Sequence, residues 1–138
     1  MLNTQTPGSI IVVQQAESRI GDNQNGPFGD PVTNSSVWAA HNPVVQIPKF
    51  ATSGTKLWLG AGNGFPGPGD SGFALDAYVY ESTALSQSQG FATKAKAAGI
   101  PVTTDWWGNG QHDWAAWTLH FPTAFAQTLA PAMGVPGT

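Results

Sequence analysis

Two short apolar segments, KLWLGAG (residues 56–62) and PVTTDWW (residues 101–107), stand on either side of a stretch with helical periodicity. No other feature of the chain limits its fold so much. Both segments have the β-branched and aromatic content of strands. Between them, from Ala84 onward, Leu85, Phe91, Ala92, Ala95 and Ala98 recur at helical spacing, and Gly99 followed by Pro101 ends the helix. Two strands joined through a helix pair in parallel, because the crossover is far longer than a hairpin turn. The expectation is an α/β fold with a parallel sheet covered by helices. Ligands of such sheets bind beyond the carboxyl ends of the strands, and both strands here run into glycine-rich turns.

The remaining segments are less regular. Residues 6–21 read as a helix, with Thr6 as N-cap, Pro7 in the first turn and Gly21 as a stop, but the β-branched run IIVV also suits a strand. GDNQNGPFGDPVTNSS (residues 21–36) and FPGPGDSG (residues 65–72) carry the punctuation of loops. After the second strand, Trp114, Trp117 and Phe121 fall on one helical face; Pro122 is expected to break that helix and start another, with Phe125 and Leu129 turned inward. There is no internal repeat and no heptad pattern.

Composition removes whole classes of function. Only 9% of residues are charged, against roughly 25% in an average soluble domain. With five Lys plus Arg and a net charge of −3, no basic patch is available to neutralise phosphates, which argues against a nucleic-acid partner. The absence of cysteine excludes disulfides, thiolate nucleophiles and thiolate metal sites. No apolar run, IIVV among them, exceeds four residues, far short of the ~20 residues a transmembrane helix needs. The opening MLNTQTPGS has neither a basic region nor a long apolar core, so no signal peptide is expected.

His112, in GNGQHDWAAW (residues 108–117), is the strongest candidate for chemistry. It follows a strand by a short glycine turn and precedes a tryptophan-rich helix. The α/β serine hydrolases place their residues in the chain order Ser, Asp or Glu, His, on loops that follow strands. Glu81 then His112 fills the last two places, with the carboxylate holding the imidazole tautomer and stabilising the imidazolium. Asp76 and Asp113 compete for the acid role, although Asp113 is better suited to capping the following helix. PGDSGF (residues 68–73) contains a trypsin-like GDSG, but that fold needs two β-barrels and far more chain. GAGNGF (residues 60–65) has Phe65 where a dinucleotide fingerprint needs its third glycine. His41, His112 and His120 lack metal-ligand spacing, so no metal is expected.

Taken together, NPVVQIPKF (residues 42–50), TKLWLGAGNGFP (residues 55–66) and GNGQHDWAAW resemble the C-terminal half of the secreted mycolyltransferases of the antigen 85 complex. GDNQNGPFGDP with Val37-Trp38 resembles the loop that precedes them in that family, and the match runs from about Leu2 to about Leu129. The resemblance implies an α/β-hydrolase fold, with residues 1–138 forming a single partial domain, the C-terminal portion. It further implies transfer of mycolic acyl groups onto trehalose or cell-wall arabinogalactan, with esterase activity in related branches. The implied partners are a trehalose mycolate-like acyl donor and a sugar acceptor, at the cell envelope, with no cofactor. Glu81 falls on the family's catalytic glutamate, His112 on its catalytic histidine, and Trp114 on the tryptophan beside the substrate cleft. The loop that begins at Phe65 would help wall the acyl or sugar site.

The chain departs from the family in having no G-x-S-x-G. The nucleophile elbow and the oxyanion donors that accompany it in the family have no counterpart here, so the 138 residues alone are expected to be catalytically incomplete. The alternative is a non-catalytic member of the same family that binds carbohydrate or host matrix protein.

Overall fold

The computed structural model describes residues 28–135. The segment 6–21 and the first part of the loop at 21–36 lie outside the described residues. The chain divides into two compact units between Ser53 and Gly54.

In the first unit, helices α1 (Ser35–Ala40) and α2 (Ile47–Thr52) flank a turn centred on Asn42. Asn42 is buried; its carbonyl accepts from the Val45 and Gln46 amides, and its Oδ1 accepts from Val44 N–H. Trp38 is the anchor. Its indole N–H donates to the Gly29 carbonyl at 2.9 Å, and Phe28 packs edge-on against it.

The second unit is the strand–helix–strand arrangement. Strands β1 (Leu57–Gly62) and β2 (Val102–Gly108) pair in parallel, with Leu57 opposite Val102 and Ala61 opposite Trp106. The register then slips, so that Gly62 faces Gly108 and Trp107 is the extra residue. Helix α3 (Leu75–Ala97) joins them and packs on both strands. It starts nine residues before the expected position. The segment LDAYVYEST carries Tyr, Val and Thr, which favour a helix weakly by themselves; packing on the sheet decides it. The buried residues Glu81, Ala92 and Ala95 stand on one helical stripe. Gly99, at φ 78°, closes the helix: its N–H donates to Lys96 O, and Ile100 N–H donates to Ala95 O. Ala95 and Ile100 are both buried beneath that turn.

Gly90 sits inside α3 with open space where a Cβ would stand. Gly90→Ala is therefore expected to stabilise the chain by about 0.5–1 kcal/mol, read as a raised denaturation midpoint.

Helix α4 (Trp114–Ala124) does not break at Pro122; it runs through the proline into a π-helical turn, Phe125–Leu129, and then α5 (Ala130–Ala132). The face that carries its aromatics is largely exposed. Trp114 and Phe121 are 75% and 60% exposed, whereas Ala116 is buried. His120, one turn beyond Ala116, stacks on Trp107 at 4.2 Å and bonds Asp105 of β2 through Nδ1 at 2.8 Å. Small and polar residues thus seat this helix on the sheet. The wide turn then shifts the helical phase, leaving Phe125 and Leu129 exposed and Ala130 buried. At the start of α4, Asp113 Oδ1 accepts from the Ala115 and Ala116 amides. Asp113→Ala is expected to cost about 1 kcal/mol in unfolding free energy through loss of this cap.

Candidate active site

Glu81 and His112 meet at the carboxyl ends of the two strands. His112 lies on the loop between β2 and α4; Glu81, expected on a loop after a strand, lies instead inside α3. The core-facing stripe of that helix carries it beneath the end of β1. There Oε1 accepts from Gly62 N–H at 2.7 Å, and Oε2 lies 2.8 Å from His112 Nδ1. Glu81 is 2% exposed, so its charge would be costly without these two donors. A carboxylate only accepts, so His112 donates from Nδ1, and in the neutral ring Nε2 keeps a free lone pair. The His112 side chain is 40% exposed, so its ring remains open to a reactant. Trp117 stands edge-on to the imidazole at 4.9 Å, and Tyr80 lies at 5.9 Å.

Backbone pairing continues past the strands and holds the two loops together. Asn63 N–H donates to Gly108 O, Gly64 N–H to Gly110 O, and Gly110 N–H to Phe65 O. The Asn63 side-chain amide also donates to Asn109 Oδ1 at 2.9 Å. Gly62 must be glycine: a Cβ there would lie 2.5 Å from Gly110 O and 2.6 Å from Trp107 Nε1.

Two other residues expected at the site fall at different distances from the pair. Trp114 reaches it through Trp117, which it meets at 5.2 Å. Phe65 belongs to a separate aromatic group with Tyr78 and Phe73, at 5.1 and 6.4 Å. Asp113 caps α4 and Asp76 occupies the first turn of α3, so it is Glu81 that holds His112. The sequence reading missed Gly62, Tyr80, Asp70 and Gln111. The only signal for Asp70 was its place in the dismissed GDSG string.

Asp70 Oδ2 accepts from Gly67 N–H at 2.8 Å and Gln111 N–H at 3.2 Å. Desolvation pushes the Asp70 pKa up. The Gly67 and Gln111 amides, with smaller contributions from the Asp113 and Gln111 side chains, outweigh it and hold the pKa below its ordinary value of 3.8. A depressed carboxylate pKa stabilises the fold above the ordinary value, and that contribution disappears as the pH falls through the lowered one. The Gly67 and Gln111 amide resonances are therefore expected to titrate together with a midpoint below pH 3.8. A midpoint above it would contradict this network.

Among the described residues no three His, Asp or Glu side chains gather to hold a metal ion, and no helix is long and apolar enough to cross a membrane.

No family model matches the chain. It is 34% identical over 96 residues to the diacylglycerol acyltransferase/mycolyltransferase Ag85B of Mycolicibacterium smegmatis, covering 67% of this chain and 27% of that protein. To the diacylglycerol acyltransferase/mycolyltransferase Ag85C of Mycobacterium leprae it is 34% identical over 95 residues, 67% of this chain and 26% of the relative. The Ag85C of Mycobacterium avium is 32% identical over 95 residues, with 67% and 25% covered. The chain spans about a quarter of the length of these curated relatives.

Proposed function

Over the region matched, this chain belongs to the antigen 85 mycolyltransferase family, and we propose that it is the acid–histidine part of an acyltransferase or esterase. The observation that carries this reading is the buried Glu81 carboxylate, bonded to Gly62 N–H on one oxygen and to His112 Nδ1 on the other. In the proposed reaction, His112 Nε2 takes the proton of a serine hydroxyl as its oxygen attacks the acyl carbonyl. The imidazolium, stabilised by Glu81, returns that proton to the departing alkoxide. Nε2 then takes the proton of an incoming sugar hydroxyl as its oxygen attacks the acyl-serine carbonyl. The acyl–serine bond breaks and the imidazolium returns the proton to the serine oxygen; water in place of the sugar gives hydrolysis. The donor class is a trehalose mycolate-like lipid and the acceptor is trehalose or an arabinogalactan sugar, at the cell envelope. Trp114 and, farther away, Phe65 would contact these substrates. The residues 1–138 act as one part of an α/β-hydrolase domain, and the chemistry calls on no cofactor.

The serine and its oxyanion donors come from an elbow-bearing segment outside the 138 residues. Without preorganised donors an acyl transition state loses roughly 10²–10³ per donor. The purified chain is therefore expected to remain unlabelled by a fluorophosphonate probe and to leave an activated ester intact. Stoichiometric labelling of a serine such as Ser71, abolished by His112→Ala, would overturn the incomplete-site reading. The 75% exposure of Trp114 also suits a carbohydrate- or matrix-protein-binding member of the family. That reading predicts affinity that survives His112→Ala and no activity once the elbow is supplied.

A further inference from the structure

Gln111 precedes His112 directly and is buried, with 3% exposure. Its side chain bridges to the facing loop. Nε2 donates to Gly72 O at 2.6 Å and Oε1 accepts from Ala74 N–H at 2.7 Å, while its backbone N–H donates to Asp70 Oδ2. Ala74 is the N-cap of α3, the helix that carries Glu81 seven residues on, a rise of about 10 Å. The histidine loop is thus tied directly to the start of the helix that bears its carboxylate. On the other side of His112, Asp113 is fixed by its bonds to the first amides of α4.

We infer that Gln111 and Asp70 form a strap that positions His112 against Glu81. The inference rests on the acid–histidine reading for its purpose. The physical need is clear from the geometry. One hydrogen bond to a charged group contributes only about 1.5–3 kcal/mol net, and His112 sits on a glycine-rich loop with its side chain 40% exposed. That bond alone would leave the loop that carries the ring free to shift. A buried amide that satisfies both a carbonyl and an N–H of the facing loop removes this freedom before any reactant arrives, which is the requirement for preorganisation. Both donors to Asp70 converge on Oδ2, whereas Oδ1 is buried without a hydrogen-bond partner. An asparagine carbonyl placed at Oδ2 can accept the same two bonds, so the shape and acceptor count of the strap survive loss of the charge that strengthens it.

The experiment is imidazole ¹⁵N spectroscopy of the 138-residue chain, at a pH where the rings are neutral. It reads the tautomer of His112, with His120 on Asp105 as internal control. The expected result is a single Nδ1–H tautomer at both histidines in the parent chain. In Asp70→Ala and in Gln111→Leu, the His112 signature is lost to averaged Nδ1 and Nε2 shifts, while His120 is unchanged. Asp70→Asn is expected to restore the single tautomer. A fixed His112 tautomer in both disrupting variants, or loss at His120 in parallel, would overturn the inference. So would failure of Asp70→Asn to differ from Asp70→Ala. Because the readout is a tautomer and not turnover, an inactive completed enzyme with these spectral changes would refute the catalytic reading and still support the strap.

Discussion

Glu81→Gln is expected to lower acyl transfer by about 10⁴-fold, measured on the chain completed with an elbow-bearing segment. The substitution keeps the shape of the side chain and an oxygen for Gly62 N–H. What changes is the other terminal atom: an amide nitrogen donates towards His112 Nδ1, where the carboxylate accepted. The imidazole then holds its proton on Nε2 and presents a donor to the serine hydroxyl, so the base is lost although the ring stays in place. The fall should appear in kcat with little change in KM, because binding contacts are untouched. His112→Ala is expected to match or exceed it, and the double variant to add little, since the two residues act as one unit. A loss below tenfold for Glu81→Gln would sink the proposed role of the pair, whatever its geometry.

The second large effect is on the fold. Gly62→Ala is expected to destabilise the chain by about 1–3 kcal/mol, because the added methyl has nowhere to go. It meets a backbone carbonyl at Gly110 and the Trp107 indole, neither of which is the free end of a flexible side chain. The same residue donates the amide that holds Glu81, so the strain falls on the site as well as on the sheet. Denaturant melts compared with Gly90→Ala make the test internal. One chemical change is expected to lower the midpoint at the end of β1 and to raise it in the middle of α3. Equal and small effects at both positions would show that the close approach at Gly62 carries no energetic weight.

Much of this arrangement can be read from particular residues. The segments at 56–62 and 101–107 announced strands because β-branched and aromatic residues run directly into glycines, and the helix between them required parallel pairing. His112 was legible because so few residues in this chain can move a proton and because it follows a strand end. Glu81 was legible as a partner by chain order, but its location was not. A glutamate within a run of Tyr, Val and Thr reads as a loop or an edge, and only packing of α3 against the sheet makes it helical and buried. The residues that seat α4 on the sheet were not legible for a related reason. Periodicity weighs Trp and Phe most heavily, yet the helix is seated by Ala116 and by His120 stacked on Trp107 and bonded to Asp105.

The sequence by itself determined the order of the elements, the parallel pairing, the absence of phosphate-binding charge and the histidine most fit for chemistry. These follow from local propensity, spacing and composition, which act over a few residues. Only the tertiary structure decided that Gly62 donates to Glu81, that Gln111 ties the histidine loop to the start of α3, and that Phe65 stands apart from the pair with Phe73 and Tyr78. Each depends on a hydrogen bond or ring contact whose partners and direction are set by how the helix and loops lie against the strand ends, which no local pattern encodes.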